Sequence, residues 1–441
     1  MTRLSEAIRS ILADRVVTDQ EVMTVLAPII NTEGVPDPTE LQPLVDAWRD
    51  RGVRFVGNAA PLIHRLLEAA SYDLERPAAN VSATGPGRRL VQPALGAADS
   101  TFERLAGITG HRRDTVIVAV GDTGTDFRHP HLSGREWVNP NEIPGNGVDE
   151  DDPDRRFPDD VNGWDFVRNS GNIAAGVTLH GNGSAMLVSE GTRRIRVMAM
   201  TVMAQGLESY DPLFASIDYA VRKGARVISL ATTMSTPENA ERLRQTLARH
   251  PHILFVMAAG NDMVELTPGV ARARGADVTA PNLMVVGAAS EDGGVWRGQR
   301  LGSNTGAPYV TVAARGVNVR VPHTLASSRN GTDDFLSTGT SLAQPQVANL
   351  AAKCMLLSPR MTAGDISRLI VETSELHPAW THQNSARGII NEERAMQVAS
   401  IIGLVAGGMA LDRALQAVGV SSAELPRVRA SVIKLMNLRV R

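Results

Sequence analysis

Four polar residues that are far apart in the chain could together carry out acyl transfer. Asp122 follows the apolar run VIVAVG, Asn261 follows ILFVMAAG, His180 begins HGNGSAML, and Ser341 stands where small residues lead into a helix. A serine hydroxyl is a poor nucleophile until an imidazole takes its proton, and a carboxylate must hold that imidazole in the right tautomer. An amide side chain and a backbone N–H at a helix N-terminus can then stabilise the oxyanion.

Each of these residues alone is weak evidence. An Asp after a strand is more often a turn or cap residue, and a Ser before a helix is usually an N-cap. Their joint occurrence is far more specific, because they appear in the order Asp, His, Ser, one of three unrelated chain orders in which this triad is known. The pattern therefore predicts a serine nucleophile activated by an imidazole.

The segments that must position these residues alternate between strands and helices. From about residue 115 the chain contains apolar runs without polar alternation, as expected of parallel strands buried on both faces: TVIVAV, IRVMAM, RVISLAT, ILFVMAAG, LMVVGAAS and YVTVAA. Helical segments such as DPLFASIDYAVRKG lie between several of them. This alternation predicts an α/β fold with a doubly wound, mostly parallel sheet. Chemistry in such folds lies at the carboxyl ends of the strands.

Helical sequence flanks this region on both sides. Apolar spacing predicts an all-helical N-terminal domain up to about residue 76, and a Pro- and Gly-rich linker follows over 77–89. The end of the chain is predicted to be a C-terminal helical extension. We therefore predict three parts: a helical domain with its linker over 1–85, a central domain over 86–400, and a helical tail over 401–441.

Composition and charge exclude several classes of protein. The net charge of −2 gives no general attraction to nucleic acid or to an anionic membrane, so neither is predicted as a partner. The apolar segment 401–411 is too short to span a bilayer, and the N-terminus does not resemble a signal peptide. A cytoplasmic location is expected, with signal-less export as the alternative. Cys354 is the only cysteine, which excludes an intrachain disulfide.

Several motifs in this order resemble the subtilisin-like serine peptidases, the subtilases, over about residues 95–400. The stretch AGITGHRRDTVIVAVGDTGTDFRHPHL is similar to the family's Asp segment, FVMAAGND to its oxyanion Asn segment, and GTSLAQPQVA to its Ser segment. The resemblance implies that Asp122 orients His180, that His180 is the general base, that Ser341 is the nucleophile and that Asn261 donates to the oxyanion. It implies a serine endopeptidase that requires no cofactor.

The sequence departs from the family pattern at two places in the predicted site. The usual His-Gly-Thr-His-Val-Ala-Gly is replaced by His-Gly-Asn-Gly-Ser-Ala-Met from His180 onward, and we expect the imidazole still to be presented. The strand that pairs with the substrate usually ends Ser-Leu-Gly, and here it reads Ala231, Thr232, Thr233. Because Thr in place of Gly narrows the space beside the substrate backbone, we predict restricted specificity at P1 and P4, or a cleft that opens only after a rearrangement.

The resemblance also implies further residues that bind a protein or peptide substrate. Besides positions 231–233, this predicted set is Gly206, Leu207, Glu208, Ala259 and Gly260. The first three would form the opposing edge of the cleft, where Glu208 would favour a basic side chain of the substrate.

An acidic insertion over 137–166 offers two interpretations. It holds seven acidic side chains between Asp149 and Asp160, and such loops can bind Ca²⁺ through oxygen ligands. The calcium ligands would be Asp149, Asp151, Asp154 and Asp160. A proline and two arginines interrupt the regular spacing of a calcium loop, so a solvated acidic loop without metal is the alternative.

Two classes of function agree with these patterns. The first is a serine endopeptidase that cleaves a limited set of proteins under the control of its N-terminal segment or of a regulatory partner. The second is a catalytically silent subtilase scaffold that binds peptides or partners, and the intact set of four residues argues against it. A non-peptidase acyl hydrolase is a more distant third. The N-terminal segment does not resemble the family's usual α/β propeptide, so it could inhibit in cis, dock a partner or cap the fold.

Overall fold

The computed structural model describes most of the chain. The described residues are 3–22, 25, 38–50, 52–56, 59, 63, 67, 90, 92, 98–111, 114–152, 155–175, 178–204, 209–323 and 334–437. The predicted linker over 77–89 lies outside them. Among the described residues, no helix combines the length and the apolar character needed to cross a membrane.

The strands form one large sheet and two small ones. In chain order they are β1 (Val16–Thr18), β2 (Arg54–Val56), β3 (Val116–Asp122), β4 (Gly163–Asp165), β5 (Ile195–Thr201), β6 (Val227–Leu230), β7 (Leu254–Ala258), β8 (Leu283–Ala289), β9 (Val312–Arg315), β10 (Val319–Pro322), β11 (Asp334–Ser337), β12 (Glu375–Leu376) and β13 (Gly388–Ile389). The central sheet has the order β12-β13-β9-β8-β7-β6-β3-β5-β4, and its neighbours are parallel except at β12–β13. A mostly parallel sheet was predicted from the apolar runs.

The helices cover both faces of this sheet. In chain order they are α1 (Arg3–Ile11), α2 (Asp19–Glu21), α3 (Pro38–Arg49), α4 (Ser100–Thr109), α5 (Leu179–Val188), α6 (Asp211–Arg222), α7 (Pro237–Arg249), α8 (Pro268–Ala273), α9 (Thr340–Leu357), α10 (Ala363–Thr373), α11 (Glu392–Ala406), α12 (Leu411–Val418) and α13 (Leu425–Asn437). Apolar residues of α5 and α9 share one hydrophobic core, and those of α6 and α7 belong to a second.

The parallel topology positions the site. β3 lies between β5 and β6, with Asp122 paired to Thr201 and Gly121 paired to Leu230. Because neighbouring strands run the same way, their carboxyl ends meet at one edge of the sheet. β3 and β7 end at this edge, and both α5 and α9 begin there.

The prediction of an all-helical N-terminal domain needs a correction. Val16–Thr18 and Arg54–Val56 form a pair of parallel strands, and the first helix ends at Ile11. Val16, Val17 and Thr18 are all β-branched, a side-chain shape that favours strand over helix. Around this pair, buried apolar residues of α1 and α3 form the core of the segment.

The boundary predicted between residues 400 and 401 falls inside α11. This helix runs to Ala406 and is buried from Arg394 to Ile402, so it belongs to the central domain and the tail begins after it. The tail packs back onto the domain, where the carbonyl of Val418 accepts a hydrogen bond from Nη1 of Arg104 at 2.8 Å.

Candidate active site

Asp122 is the last residue of β3 and is buried. Its carboxylate accepts hydrogen bonds from the backbone N–H of Thr123 at 2.6 Å, from Nδ1 of His180 at 2.8 and 3.0 Å, and from the hydroxyl of Ser184 at 2.7 Å. Burial by itself opposes ionisation, but the charge of His180 and these hydrogen bonds hold the pKa of Asp122 below its usual range. Asp122 is therefore an ionised acceptor at neutral pH.

His180 is the second residue of α5, and its ring joins the other two members of the predicted triad. Nδ1 faces Asp122, and Nε2 lies 2.9 Å from Oγ of Ser341. When the N–H at Nδ1 donates a hydrogen bond to the carboxylate, Nε2 carries the lone pair that accepts a hydrogen bond from the serine hydroxyl. The side chain is 28% exposed, so the ring borders solvent.

Two glycines allow the start of α5 to approach the turn after β3. A Cβ on Gly181 would lie 1.8 Å from the carbonyl oxygen of Gly124. Gly124 itself has a φ of +119°, which side chains other than glycine rarely adopt. The N–H of Gly181 also donates to Oγ1 of Thr123 at 3.3 Å. This close contact brings the imidazole within reach of Asp122.

Asn261 follows β7 and faces the first turn of α9. Its Oδ1 accepts the backbone N–H of Thr340 at 3.0 Å and the Thr340 hydroxyl at 2.7 Å. Because Oδ1 is held in this way, Nδ2 is available to another acceptor. A Cβ on Gly339 would lie 3.5 Å from Nδ2 of Asn261 and 3.2 Å from Oγ of Ser341. The amide donor and the serine oxygen therefore border the same space.

The sequence model of the subtilase family matches residues 113–396. The chain belongs to the subtilase family. It is similar to subtilisin-like protease 1 of Plasmodium vivax, with 24% identity over 314 residues that cover 66% of this chain and 49% of that protein. It is also similar to the thermophilic serine proteinase of Bacillus sp. strain AK1, with 28% identity over 261 residues that cover 58% of this chain and 56% of that protein. The chain thus spans about half the length of the curated relatives it matches.

Solved structures share the fold of this subtilase. The A-subunit of the AB5 toxin from E. coli superposes with a TM-score of 0.52 at 19% identity, over 70% of this chain and 100% of that chain. A lanthipeptide protease superposes with a TM-score of 0.50 at 18% identity, over 67% of this chain and 95% of that chain. At these identities the likeness shows the fold alone, and the predicted α/β arrangement is confirmed.

The predicted substrate-binding edge of the subtilase follows β6, beside β3. Ala231, Thr232 and Thr233 lie there and are half-buried. The hydroxyl of Tyr210 donates to the carbonyl of Thr233 at 2.8 Å, which ties the residue before α6 to this edge. Tyr210 is a contact that the sequence patterns did not indicate. Three residues predicted for the opposing edge lie outside the described residues: Gly206, Leu207 and Glu208.

Ala259 and Gly260, which are predicted to contact substrate, also make hydrogen bonds that support the site. Ala259 is 2% exposed, and its N–H donates to the carbonyl of Val286 at 2.9 Å. The N–H of Gly260 donates to Oγ1 of Thr340 at 3.2 Å, and its carbonyl accepts the N–H of Asn304 at 2.9 Å. Their backbone groups are bonded within the protein. The two residues therefore hold the strand end that carries the site, and their direct contact with substrate stays a prediction.

Two of the replaced residues after the histidine pack α5 into its surroundings. Oδ1 of Asn182 accepts the backbone N–H of Asp126 at 2.8 Å, which fixes the connection between β3 and α5. Gly183 faces β10, where a Cβ would lie 3.2 Å from Cγ1 of Val321. A side chain at this position would press against Val321 and require it to shift. The glycine found here, where the family pattern has histidine, therefore matches the close packing against β10.

Sequence reasoning missed two residues that touch the site. Ser184 stands four residues after His180, a spacing that places both on the same face of a helix, and it donates to Asp122. Thr340 directly precedes Ser341 and orients the oxyanion amide. Helical spacing and adjacency, respectively, are the signals that could have identified them.

Lys223 occupies the centre of the acidic insertion. Its Nζ lies 2.5 Å from Oδ1 of Asp151, 2.9 Å from Oδ2 of Asp152 and 3.1 Å from Oδ2 of Asp160. Burial opposes the charged amine, but the surrounding carboxylates outweigh it and raise the pKa of Lys223 well above its usual range. The hydroxyl of Tyr219 donates to the same Asp160 oxygen at 2.7 Å.

The predicted calcium ligands are only partly brought together. Asp149 accepts three backbone N–H groups of its own loop, at 3.2, 2.9 and 2.8 Å. Asp151 and Asp160 face the ammonium of Lys223, and Asp154 lies outside the described residues. A calcium ion would have to displace Lys223 from these oxygens. Two groups of carboxylates come close enough to share a metal ion, Glu142 with Asp151 and Asp160, and Asp149 with Asp151 and Asp152, but Lys223 already contacts three of these residues.

Proposed function

We propose that this subtilase is a serine endopeptidase that hydrolyses peptide bonds of protein substrates. The observation that carries the proposal is the unbroken path of hydrogen bonds from Asp122 through His180 to Ser341, with contacts of 2.8 and 2.9 Å. Asn261 borders the same space, which supports its role as an oxyanion donor. The relatives are named as proteases, which supports the same activity.

The proposed mechanism follows from this geometry. Nε2 of His180 takes the Ser341 proton as Oγ attacks the scissile carbonyl carbon. The oxyanion of the tetrahedral intermediate accepts hydrogen bonds from Nδ2 of Asn261 and from a backbone N–H at the start of α9. The imidazolium, held by Asp122, then protonates the leaving amine. Water hydrolyses the acyl-enzyme by the same steps with the same residues.

Active-site labelling of the full chain tests the proposal. A fluorophosphonate probe should modify Ser341 in the wild type, and the wild type should cleave members of a peptide library. The matched variant Ser341→Ala should do neither and should keep the wild-type circular dichroism spectrum and Tm. A folded wild type that neither labels nor cleaves would contradict the proposal and favour the silent scaffold.

We propose restricted specificity on the basis of the edge after β6. Thr233 stands where the family has glycine, so its side chain narrows the path of the substrate backbone. The Tyr210 hydroxyl already uses the Thr233 carbonyl, and substrates that add as a strand pair with carbonyls of this kind. Thr233→Gly should broaden the set of cleavage sites that mass spectrometry finds in an unfolded protein. An unchanged set would contradict this assignment.

We propose that the N-terminal segment regulates the site through Arg300. The Arg300 guanidinium donates to three backbone carbonyls within residues 48–53, at 2.9, 2.7 and 2.8 Å, and lies 4.5 Å from the ring centre of Phe55. Two residues further on, the N–H of Gly302 donates to the carbonyl of Asn261 at 3.1 Å. Arg300→Met should change the rate of fluorophosphonate labelling. An altered Tm with an unchanged labelling rate would favour a plain structural cap.

We propose that the acidic insertion keeps its fold without calcium, because Lys223 supplies the positive charge that its carboxylates require. Treatment of the full chain with EDTA should leave the Tm unchanged. A fall in Tm on chelation that added Ca²⁺ restores would contradict this proposal.

A further inference from the structure

Ser184 places a hydroxyl beside the buried carboxylate of the triad. It lies one helical turn after His180 and is itself fully buried. Its Oγ donates to Oδ2 of Asp122 at 2.7 Å. Valine stands at this position in the usual subtilase pattern, and valine has no group that could make this bond. The contact is therefore a feature of this chain's own sequence.

The two oxygens of Asp122 are held by different donors. Oδ1 accepts the Thr123 N–H at 2.6 Å and the shorter of the two His180 contacts, at 2.8 Å. Oδ2 receives the longer His180 contact, at 3.0 Å, and the Ser184 hydroxyl. Removing the hydroxyl would leave Oδ2 with only the longer His180 contact and would loosen the rotation of the carboxylate about its Cβ–Cγ bond.

The Ser184 hydroxyl does not make the hydrogen bond that is usual for a serine in a helix. Serine inside a helix commonly donates to the carbonyl four residues earlier, and Ser189 at the end of α5 does so, to Ala185 at 2.8 Å. Ser184 instead donates across to β3. A hydrogen bond to an ionised acceptor is stronger than one to a carbonyl, which explains the preference.

We propose that Ser184 is a positioning residue that fixes the Asp122 carboxylate and reduces the basicity of His180. The inference rests on the proposed triad. A donor on Oδ2 draws negative charge away from the imidazole, so the imidazolium is stabilised less than it would be without the hydroxyl. The same bond fixes the plane of the carboxylate, and through it the tautomer and angle of the ring.

Two other charged groups of the connection between β3 and α5 do not replace this donor. Asp126 and Arg128 form an ion pair with each other, with Nη2 and Oδ2 2.8 Å apart. The basic group that contacts Asp122 is the imidazole of His180, at 2.8 Å.

A pair of variants that differ only in the hydroxyl tests this role. Threonine and valine have the same shape, so Ser184→Thr keeps the donor and Ser184→Val removes it. We expect Ser184→Thr to keep wild-type kinetics within about twofold and Ser184→Val to lose about tenfold in kcat/KM, mostly in kcat, as loss of a hydrogen bond to a charged group would produce. The acid limb of the Ser184→Val profile should move to higher pH because His180 becomes more basic. Ser184→Ala, which adds no volume, repeats the test if valine does not fit.

The decisive readout does not depend on turnover. In protein labelled with ¹³C-histidine, the ring titration of His180 is followed by NMR in the wild type and in both variants. A higher pKa of His180 in Ser184→Val than in Ser184→Thr is the expected result. Equal His180 titrations in the two variants would overturn the proposal and leave Ser184 a packing residue. A wild type that neither labels nor cleaves would refute the proposed function, and the NMR comparison would still decide the role of Ser184.

Discussion

Two groups of buried carboxylates in this subtilase face different kinds of base. At Asp122 the partner is the imidazole of His180, and at Asp160 it is the ammonium of Lys223. In both places a hydroxyl donates to the carboxylate at 2.7 Å. An imidazole exchanges its proton near neutral pH, whereas an ammonium among carboxylates keeps it. The basicity of the partner therefore separates a group suited to catalysis from one suited to holding a loop.

The two groups also differ in access to solvent. The His180 side chain is 28% exposed and the Lys223 side chain 6%. α6 has 12 residues, so its ends are about 18 Å apart. Tyr210 at its start meets the substrate edge, and Lys223 directly after its end meets the acidic insertion. Among the described residues, the basic side chain is therefore more exposed to solvent in the first group than in the second.

The largest expected effect comes from replacing each carboxylate by an amide. Asp122→Asn should lower kcat by about 10⁴-fold, because the amide would favour the wrong tautomer of His180, as in other Ser-His-Asp enzymes. Asp160→Asn should destabilise the fold and leave kcat unchanged. Steady-state kinetics and urea unfolding of both variants check this. If Asp160→Asn lost kcat although the variant was fully folded, the two groups would be coupled. The separation between a catalytic group and a loop-holding group would then be contradicted.

Removing the ammonium should have the largest effect on stability. Lys223→Met leaves three carboxylates together without their cation, and breaking a buried ion pair in this way costs about 3–5 kcal/mol in the free energy of unfolding. Arg222→Met is the matched control next to it. Arg222 is 50% exposed and lies 3.4 Å from Asp152, so its loss should cost less than about 1 kcal/mol. Equal losses in the two variants would contradict the central role given to Lys223.

A third test uses pH, because the contributions of Glu142 and Asp122 to the free energy of unfolding change with pH in opposite directions. Burial and the nearby Asp160 raise the pKa of Glu142 to about 8 from its usual 4.5. Its folded-state pKa lies above the unfolded one, so the stability it contributes is complete below about pH 4.5 and is lost as the pH rises through about 8. Asp122, whose pKa is lowered, contributes stability that is lost on acidification. Urea unfolding between pH 5 and 9 measures the first effect.

Glu142→Gln should flatten that pH dependence. The amide cannot ionise, so the decline in the free energy of unfolding towards pH 9 should shrink, by an amount on the order of a few kcal/mol. The carboxylate oxygens of Glu142, Asp151 and Asp160 lie within 4.8 Å of one another, which is why a further negative charge is unfavourable there. Parallel profiles for the wild type and Glu142→Gln would show that Glu142 is already ionised in the folded protein.

The sequence predicts the proposed catalytic group in part because Asp122 and Asn261 each follow an apolar run. A run such as VIVAVG has one reasonable structure, a buried strand, and parallel strands bring Asp122 and Asn261 to one edge. Helical spacing puts Ser184 on the same face as His180, but spacing alone does not indicate a contact with Asp122. The contact becomes visible only when the distance between the helix and β3 is known.

The acidic group could not be predicted in the same way. Lys223 and Asp151 are 72 residues apart, and the insertion has no periodicity that would place its carboxylates. A cluster of acidic residues in a sequence shows negative charge but not the cation that balances it, so the sequence alone does not distinguish a calcium loop from a solvated one. The strands β1 and β2 were missed for a related reason, because three residues of extended chain are too short to form a pattern.

The smallest expected effect is the change in the free energy of unfolding when only the hydroxyl that donates to Asp160 is removed. Tyr219→Phe removes the donor to Asp160 and keeps the aromatic contacts with Phe157 and Phe166, whose ring centres lie 4.9 and 5.5 Å away. The free energy of unfolding should fall by about 1.5 kcal/mol, since Asp160 keeps its contact with Lys223. The pH profile of kcat/KM should not move, in contrast to Ser184→Val. A moved profile in Tyr219→Phe would mean that hydroxyl donors affect activity through the fold as a whole.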